Sequence, residues 1–410
     1  MRLTILICFL TLTCETLFGA EVTSEVRDFH EKILVLDSHL DTPIRLAMPG
    51  FDVTKRHKHP EDQSQVDLPR MIEGGLDGGF WVIYTRQGEL TDKAYNTAGQ
   101  SALRTTKLIK KMVSTNSEKF ALALSANDAE KIANDDRKIV YMSIENAYPL
   151  GINLNLLDEF YELGVRMIGL VHAKNNQFAD SSTDPTGVLW NGLSPLGRQL
   201  VRKANDLGLI IDASHAHDLA LEEMIALSRT PILLSHSACK SVFNHPRNVD
   251  DRLLLKLRDN GGVIQINSLG SYLKEIIVAD GRKEIYTKIA VDRARGERTN
   301  EPMLYEDFRD RYNGMDTKFP KEMARLEHYF SHFKHGLDLL GTEAVGVGAD
   351  WDGGGGVTEM NDTSKIPQIT KFLIEEGYSK QDIEKIWSGN LLRLLRRAEL
   401  GKAKTFDSGG

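Results

Sequence analysis

Short apolar segments recur along the chain, each followed by a longer amphipathic stretch, and this alternation restricts the fold most. The eight apolar segments are residues 33–36, 80–84, 139–144, 166–171, 209–213, 231–235, 262–266 and 344–348. Near-continuous apolar strands separated by helices are typical of a parallel sheet that helices cover on both faces. Eight such units favour a closed (β/α)8 barrel, the TIM barrel, over an open doubly wound sheet. No Gly-rich dinucleotide-binding motif follows the first segment, which also argues against an open sheet of that kind.

The stretches between the apolar segments have the spacing of amphipathic helices. Predicted helices cover residues 96–114, 154–163, 195–207, 219–228, 252–259 and 321–340, and a final helix at 382–400 closes the barrel. We predict one barrel domain over residues 21–400, with polar insertions near 50–69 and 274–320 and a polar tail at 401–410. The second insertion is predicted to be a solvated helical excursion, with a lid over the barrel mouth as the alternative.

Residues 1–20 differ from the rest of the chain. A basic start is followed by a short apolar run and then by Phe18-Gly19-Ala20, an arrangement typical of a cleaved export signal. We therefore predict a signal peptide over 1–20 and an exported protein, periplasmic or secreted, with a buried N-terminal helix as the alternative. The cysteines are Cys8, Cys14 and Cys239. Only Cys239 would remain after cleavage, so no intrachain disulfide is expected.

Charge and hydropathy narrow the range of partners. The net charge of −7 gives no reason to expect nucleic acid as a partner. After residue 20, no stretch has the roughly 20 apolar residues that a membrane helix needs. The polar C-terminus lacks the hydrophobic tail of a lipid-anchor signal. We therefore expect neither a nucleic-acid partner nor a membrane anchor.

Ionisable side chains follow six of the eight predicted strands. In chain order they are His39 and Asp41, Glu145, His172, His215, His236 and Asp350. Alone, a histidine after a strand is usually a loop or core residue, and a single carboxylate is usually a helix N-cap or a surface charge. In a barrel, however, the carboxyl ends of the strands converge on one mouth, where catalytic groups lie in this fold. The set therefore predicts a functional site at the mouth.

Five of these side chains have the composition of a metal site. His39 and Asp41 are two residues apart, so in extended backbone they point to the same side. Three imidazoles and two carboxylates exceed the roughly three protein ligands that one catalytic zinc takes. We predict two Zn²⁺ ions per chain, bridged by Glu145. One ion would take His39 and Asp41, and the other His215 and His236, although Mn²⁺, Co²⁺ or Fe²⁺ would also suit these ligand types.

The remaining polar groups fit hydrolysis. Two metal ions about 4 Å apart can hold a bridging hydroxide and polarise a carbonyl. His172 is predicted to donate to the tetrahedral oxyanion, and Asp350 to shuttle a proton or hold an ammonium group. Arg247 is predicted to bind a substrate carboxylate, with an ion pair to Asp250 or Asp251 as an equally supported alternative. A solvated position on a polar helix is predicted for His328, His332 and His335.

Several short motifs, taken together and in order, resemble one known family. They are Asp37-Ser38-His39-Leu40-Asp41, Ser143-Ile144-Glu145-Asn146, Leu170-Val171-His172, Ile211-Asp212-Ala213-Ser214-His215, Ser235-His236-Ser237, Pro246-Arg247-Asn248 and Gly348-Ala349-Asp350-Trp351-Asp352-Gly353. With these motifs the chain resembles the membrane (renal) dipeptidases, a family of binuclear zinc peptidases, and looks most like their bacterial members. The resemblance implies a TIM barrel of the metal-dependent hydrolase type.

The resemblance also implies roles for individual residues. It implies the five metal ligands named above, with Glu145 bridging, and substrate contacts from His172, Arg247 and Asp350. The implied substrates are free dipeptides, often with a D- or dehydro residue at the C-terminal position, and some members open β-lactams. Dimers are common in the family, so a homodimer is expected. The mammalian members carry disulfides and a lipid anchor, and neither is expected here.

We therefore expect a metal-dependent dipeptidase that cleaves the peptide bond of free dipeptides by a bridging hydroxide between two zinc ions. A related amidohydrolase acting on N-acyl amino acids or β-lactams is the alternative with the same chemistry. A noncatalytic metal-binding exported protein is the alternative of another class. His172, Arg247 and Asp350 argue against it, because a metal carrier has no use for groups that are not ligands.

Overall fold

The computed structural model describes residues 21–299 and 301–402. The predicted signal peptide at 1–20 and residues 403–410 of the predicted tail lie outside this part of the chain. Among the described residues, no helix combines the length and the apolar character of a membrane span. The Cys239 thiol is buried and free.

Nine parallel strands form one sheet. They are β1 (Leu36–Leu40), β2 (Gly78–Tyr84), β3 (Phe120–Leu122), β4 (Lys138–Glu145), β5 (Val165–Gly169), β6 (Ile210–Asp212), β7 (Leu233–Ser237), β8 (Val263–Ile266) and β9 (Val345–Val347). Eight of them follow one another in the order β1-β2-β4-β5-β6-β7-β8-β9, while the short β3 pairs only with the start of β4. The predicted (β/α)8 barrel is confirmed, and each of the eight predicted segments overlaps one of its strands.

Helices follow most strands. They are α1 (Ser24–His30), α2 (Pro43–Leu46), α3 (His59–Asp62), α4 (Leu68–Glu73), α5 (Asp92–Thr115), α6 (Asp128–Asn134), α7 (Leu156–Leu163), α8 (Pro195–Leu207), α9 (Asp218–Leu227), α10 (Asp251–Asp259), α11 (Gly270–Leu273), α12 (Asp280–Thr299), α13 (Tyr305–Tyr312), α14 (Met315–Lys318), α15 (Leu326–Leu340), α16 (Pro367–Glu375), α17 (Lys380–Glu384) and α18 (Asn390–Gly401). Single 3₁₀ turns lie at Tyr148–Leu150 and Thr363–Lys365, and a π-helical turn at Lys385–Gly389 joins α17 to α18. The predicted final helix at 382–400 is thus divided in two.

The barrel closes between its first and last strands. Leu40 pairs with Trp351 in an isolated parallel bridge, in which the Asp41 N–H donates to the Trp351 carbonyl at 2.8 Å. Near the start of β1, the Asp37 carboxylate accepts a hydrogen bond from the Ala349 N–H at 3.0 Å. Asp41 and Asp350 are therefore held side by side by the seam of the barrel.

Two layers of apolar side chains surround the strands. The larger cluster joins strand residues such as Trp81 and Ile168 to helix residues such as Leu200 and Phe333. The smaller cluster takes one or more residues from most strands and packs them against the leucines of α18. Many of its strand residues, such as Leu36, stand at the amino-terminal start of their strands. The final helix therefore covers the end of the barrel opposite the polar groups.

The two predicted insertions contact each other beside the mouth of the barrel. Residues 50–69 contain α3, and residues 274–320 contain α12, α13 and α14. Tyr305 of the second segment hydrogen-bonds to the Asp62 carboxylate and to His57 Nδ1, the latter at 2.8 Å. Its backbone N–H donates to the Pro49 carbonyl at 3.0 Å. The two segments thus form one continuous layer.

One prediction about α15 is wrong. His332 was expected on a solvated helix face, but its side chain is fully buried. Its Nδ1 accepts a hydrogen bond from the Cys239 N–H at 3.0 Å, which places the ring on the inner face of the helix. His328 and His335 are partly exposed, at 26% and 28% of their side chains.

Candidate metal centre

Backbone strain marks the turns at the mouth of the barrel. Asn146 directly follows β4, and His215 and Asp350 follow β6 and β9 by three residues. All three have left-handed backbone, with φ values of 69°, 68° and 65°. This conformation costs a non-glycine residue about 1–3 kcal/mol and is concentrated at functional sites. Two of the predicted site residues are therefore held by strained turns that the surrounding barrel stabilises.

Glu145 lies at the centre of the predicted set. Its Oε1 is 3.0 Å from His215 Nε2 and 3.4 Å from His236 Nε2. The same oxygen is 3.6 Å from His172 Nε2 and 3.7 Å from His39 Nε2. The four histidines are brought by different strands onto one carboxylate oxygen. His39 and His236 lie inside β1 and β7, not after them as predicted, because the ladder continues through these buried polar residues.

The other carboxylates stand on the side of His39. His39 Nε2 is 3.5 Å from Asp41 Oδ2, as their spacing of two residues predicts. His39, Asp41 and Asp350 form one of three groups whose donor atoms could share an ion. The other two groups are His39, Glu145 and His236, and Glu145, His172 and His215. The three groups overlap, because His39 belongs to two of them and Glu145 belongs to two of them.

The donor atoms at the centre lack protein partners that would satisfy them. His39 Nε2 and Asp41 Oδ1 are buried and make no hydrogen bond within the described residues. His215 Nε2 and His236 Nε2 face each other at 2.8 Å. Buried polar atoms are normally paired, and a set of convergent imidazole and carboxylate atoms is the composition that divalent metals take. The residues present therefore fit a metal centre.

Burial and mutual repulsion shift the pKa values of these groups. Burial raises the pKa of Glu145 well above its usual value, and the charges of Asp41 and Asp350 add to that effect. Burial lowers the pKa of both His215 and His236 well below the usual value. Such shifts disfavour the charged carboxylate and favour the neutral imidazole. A cation bound here would stabilise the ionised Glu145 and use the lone pairs of the neutral histidines.

A second ring of buried residues fixes the orientation of His236. Ser235 Oγ is 2.8 Å from His236 Nδ1 and donates to Asp212 Oδ2 at 2.6 Å. Because the Asp212 carboxylate only accepts, the Ser235 hydroxyl is committed to it, and its oxygen accepts the proton on His236 Nδ1. His236 Nε2 is then left with its lone pair toward Glu145. Such outer hydrogen bonds set the tautomer of metal-binding histidines.

Sequence reasoning missed two carboxylates in this outer ring. Asp212 Oδ1 accepts from the N–H groups of Ser214 and Ser235, both at 2.9 Å. Asp37 Oδ1 accepts from the His39 N–H at 2.8 Å. Each aspartate precedes a site histidine within an Asp-(x)-Ser-His sequence, 37–39 and 212–215. That repeated pattern is the signal by which they could have been found.

His172 occupies the outer edge of the centre. Its side chain is 26% exposed, against 6% for Glu145 and His215. Its ring meets that of Tyr84 edge-on, with 5.0 Å between centroids. Burial and the charge of Arg247 lower the pKa of His172 to about 4. The imidazole is therefore neutral at pH 7 and faces the open side.

Arg247 is buried against the end of β7. Its Nη1 donates to Ser237 Oγ at 2.9 Å and its Nη2 to the His236 carbonyl at 2.7 Å. Its Nε has no partner among the described residues. The alternative of an ion pair is wrong in this part of the chain, because Asp250 caps α10 and Asp251 pairs with His335 at 2.8 Å. The guanidinium therefore keeps donors for a ligand.

Asp350 is held between Asn267 and a glycine. Asn267 Nδ2 donates to Asp350 Oδ2 at 3.3 Å. Burial raises the pKa of Asp350 to about 7, opposed by His39 and supported by the charge of Asp41. A Cβ added at Gly353 would stand 2.1 Å from both Asp350 Oδ1 and Asp41 Oδ2. Sequence reasoning missed Asn267 and the requirement for glycine at 353.

Comparison with known proteins decides the class of this centre. The family model of the membrane dipeptidases, peptidase family M19, matches residues 23–408. The chain belongs to this family. It is 28% identical over 359 residues to dipeptidase tcpJ of Claviceps purpurea, which covers 86% of this chain and 74% of that protein. It is 26% identical over 354 residues to dipeptidase verJ of Clonostachys rogersoniana, covering 84% and 79%.

A solved structure agrees with both the fold and the family. The probable dipeptidase PvdM from Pseudomonas aeruginosa is 31% identical, with a TM-score of 0.76 over 92% of this chain and 98% of that one. The predicted family is thus confirmed, and the chain is a metal-dependent dipeptidase. The alternative of a noncatalytic metal-binding protein is wrong.

Proposed function

We propose that this dipeptidase holds two zinc ions, with Glu145 between them. One ion is held by His39 and Asp41, and the other by His215 and His236. The observation that carries the proposal is the convergence of imidazole Nε2 atoms on Glu145 Oε1, at 3.0 to 3.7 Å. The absence of cysteine from the set and its mixture of nitrogen and oxygen donors are typical of catalytic zinc.

The bound ions would polarise the scissile carbonyl and activate a water molecule as the nucleophile. His172 donates a hydrogen bond to the developing oxyanion, a role that fits its neutral state and its place at the open edge. It stands 3.6 Å from Glu145, so it shares the centre without being enclosed by it. We assign it to the substrate, not to the metal, because its side chain is the more exposed one.

Asp350 and Arg247 bind the two ends of a dipeptide. Asp350 accepts a proton or holds the α-ammonium group, because its buried carboxylate stands beside Asp41 at the edge of the centre. Arg247 binds the α-carboxylate with the donors that the barrel does not use. A site with an acid for the amine favours free dipeptides over N-acyl amino acids, which have no ammonium group. We further propose export by residues 1–20, from their composition, and acceptance of a D-residue at the C-terminal position and a homodimer, both of which the resemblance to the family implies.

Substitution of the central carboxylate tests the metal assignment. In Glu145→Gln we expect one zinc per chain instead of two and loss of most of the turnover of Ala-D-Ala and Ala-L-Ala. Zinc content is measured by elemental analysis on the same sample that is assayed. Glu118→Gln, an exposed change away from the centre, is the matched control and keeps both properties. Two zinc ions and full turnover in Glu145→Gln would refute the proposal, and faster cleavage of N-acetyl-alanine than of either dipeptide would refute the assigned substrate.

A further inference from the structure

A cavity of about 650 Å³ lies between the two insertions and the loop that follows Asp350. The first insertion contributes His59 and Gln63, the second contributes Tyr286 and Tyr312, and the loop contributes Gly353. The volume is within the range of about 300–1,000 Å³ that small-molecule sites have. None of the predicted metal ligands lines this cavity, but Gly353 does, and it stands next to Asp41 and Asp350.

The cavity adjoins the carboxylate side of the centre. Gly353 lines it, and a side chain there would overlap Asp41 Oδ2 and Asp350 Oδ1. Glycine at this position leaves the space next to both carboxylates clear. Since Asp350 is assigned to the α-ammonium group, the residue of the substrate nearest to this cavity is the N-terminal one.

The walls of the cavity are largely aromatic and apolar. Phe308 is buried, and Tyr286, Tyr312, Ile44 and Leu269 complete this part of the lining. Walls of this kind pack against the methylene groups of a side chain. Small side chains would leave most of the space unfilled, so the cavity is suited to a longer one.

The carboxylates that line the cavity are already paired with arginines. Asp316 Oδ1 accepts from Arg282 Nη2 at 2.5 Å. Asp352 Oδ1 is 3.5 Å from Arg45 Nε, and its Oδ2 accepts from the Thr42 hydroxyl at 2.9 Å. Neither carboxylate is therefore a free anion toward the cavity.

Two basic side chains in the lining have no partner of opposite charge at ion-pair distance within the described residues. The Lys321 ammonium and the His59 ring form no hydrogen bond or ion pair within the described residues. Burial and the neighbouring charge of Arg282 lower the pKa of Lys321, and the charge of Asp316 opposes them only in part. Burial also lowers the pKa of His59, against the charge of Asp362. The ammonium is thus destabilised where it stands, and an anion in the cavity would reverse that effect.

We propose that this cavity selects an acidic side chain on the N-terminal residue of the dipeptide, with Lys321 as its cationic contact. Its hydrocarbon part packs on the tyrosines, and His59 adds a neutral hydrogen-bond donor. This inference rests on the proposed function, because it depends on Asp350 holding the α-ammonium group. It concerns the selection of a side chain and adds no chemical step.

Two dipeptides of equal shape and different charge test it. On zinc-loaded protein at pH 7.5, about 10- to 100-fold higher kcat/KM is expected for Glu-Ala than for Gln-Ala, the value of one hydrogen-bonded charge pair. The alanine is used in whichever chirality is cleaved faster. Lys321→Met should bring the Glu-to-Gln ratio close to one, mainly through KM, whereas Lys321→Arg should keep it. Lys318→Met, at an exposed lysine three residues earlier in the chain, is the matched control and keeps the ratio.

The outcomes separate this inference from the function on which it rests. A ratio at or below one in the unsubstituted protein, with Ala-Ala and Gln-Ala still cleaved, overturns the acidic selection alone. A high ratio that Lys321→Met leaves unchanged overturns the assignment of Lys321. No hydrolysis of any of the three dipeptides would overturn the proposed function and the inference together. Thermal unfolding of each variant shows that the comparison is made on folded protein.

Discussion

Asp212→Asn changes one acceptor oxygen into a donor at the base of the metal centre. In the protein, Asp212 Oδ1 accepts from two backbone N–H groups, those of Ser214 and Ser235, and its Oδ2 accepts from the Ser235 hydroxyl. The asparagine has two orientations. Turning its NH2 group toward the two N–H groups would leave two buried donors unpaired, at about 1–3 kcal/mol each. The amide oxygen therefore keeps the backbone bonds, and the NH2 group faces Ser235.

The consequence is a reversed hydrogen bond to His236. Ser235 Oγ would accept from the new amide, so its own proton would point to His236 Nδ1, 2.8 Å away. Nδ1 then accepts, and the ring proton moves to Nε2, the atom that the metal needs. Restoring the metal-binding tautomer costs about one buried hydrogen bond. That is about 1–3 kcal/mol, and it agrees with the 10- to 100-fold loss of metal affinity that outer-ring substitutions cause.

The assay is a zinc titration in competition with a chromophoric chelator. We expect Asp212→Asn to bind one zinc equivalent about 10- to 100-fold more weakly, with activity largely recovered at saturating zinc. Ser235→Ala removes the hydroxyl between Asp212 and His236 without reversing its hydrogen bond, so we expect a smaller loss of zinc affinity than in Asp212→Asn. Asp128→Asn is the matched control, since Asp128 also accepts two backbone N–H groups but lies far from the centre. Affinity within about twofold of the unsubstituted protein in Asp212→Asn would refute the tautomer reasoning.

Two further predictions concern packing and pH. Gly353→Ala places a methyl group 2.1 Å from the Asp41 and Asp350 carboxylates, so we expect about 100-fold lower kcat/KM in a protein that still folds. Gly336→Ala in α15 is the control and should keep full activity, because its methyl group makes only ordinary contacts. Full activity in Gly353→Ala would show that the loop moves to accommodate the methyl group. Burial lowers the pKa of His30 from 6.5 to about 4, so the unfolded chain binds a proton that the folded one refuses in this range. The contribution of this group should therefore lower the free energy of unfolding by about 3 kcal/mol as the pH drops from 7 to 4. In His30→Gln this part of the pH dependence should be absent when the free energy of unfolding is measured by urea titration at each pH. The same pH dependence in both proteins would contradict the assignment.

The barrel was predictable from local pattern, while its one extra strand was not. Each barrel strand is an apolar segment followed by a helix-like stretch, and both signals lie within about 30 residues of sequence. The three residues of β3 carry no comparable signal, because their strand depends on pairing with the start of β4. The early ends predicted for β1 and β7 have a related cause. His39 and His236 are polar, but the barrel buries them within the ladder.

The same distinction applies to the metal centre. His39, Asp41 and Glu145 lie at or within one residue of the carboxyl ends of their strands, where barrel topology brings side chains together, so the sequence predicts their convergence. The support of His236 by Asp212 depends on a contact across 23 residues and on the direction of a hydroxyl proton. His332 was predicted to be solvated from the polar residues around it, yet a contact with Cys239, 93 residues away, decides its burial. Contacts of this kind follow from tertiary structure alone.

Closure of the barrel between Leu40 and Trp351 links the metal centre to the completion of the chain. During synthesis His39 and Asp41 leave the ribosome early, but Asp350 emerges late, and 312 residues separate Asp37 from its partner Ala349. A nascent chain that stops before that point has one seam open and the carboxylate side of the centre incomplete. Contacts between such distant segments form late, because the intervening chain must first be ordered. Placement of Asp350 beside Asp41 therefore distinguishes finished molecules from truncated ones.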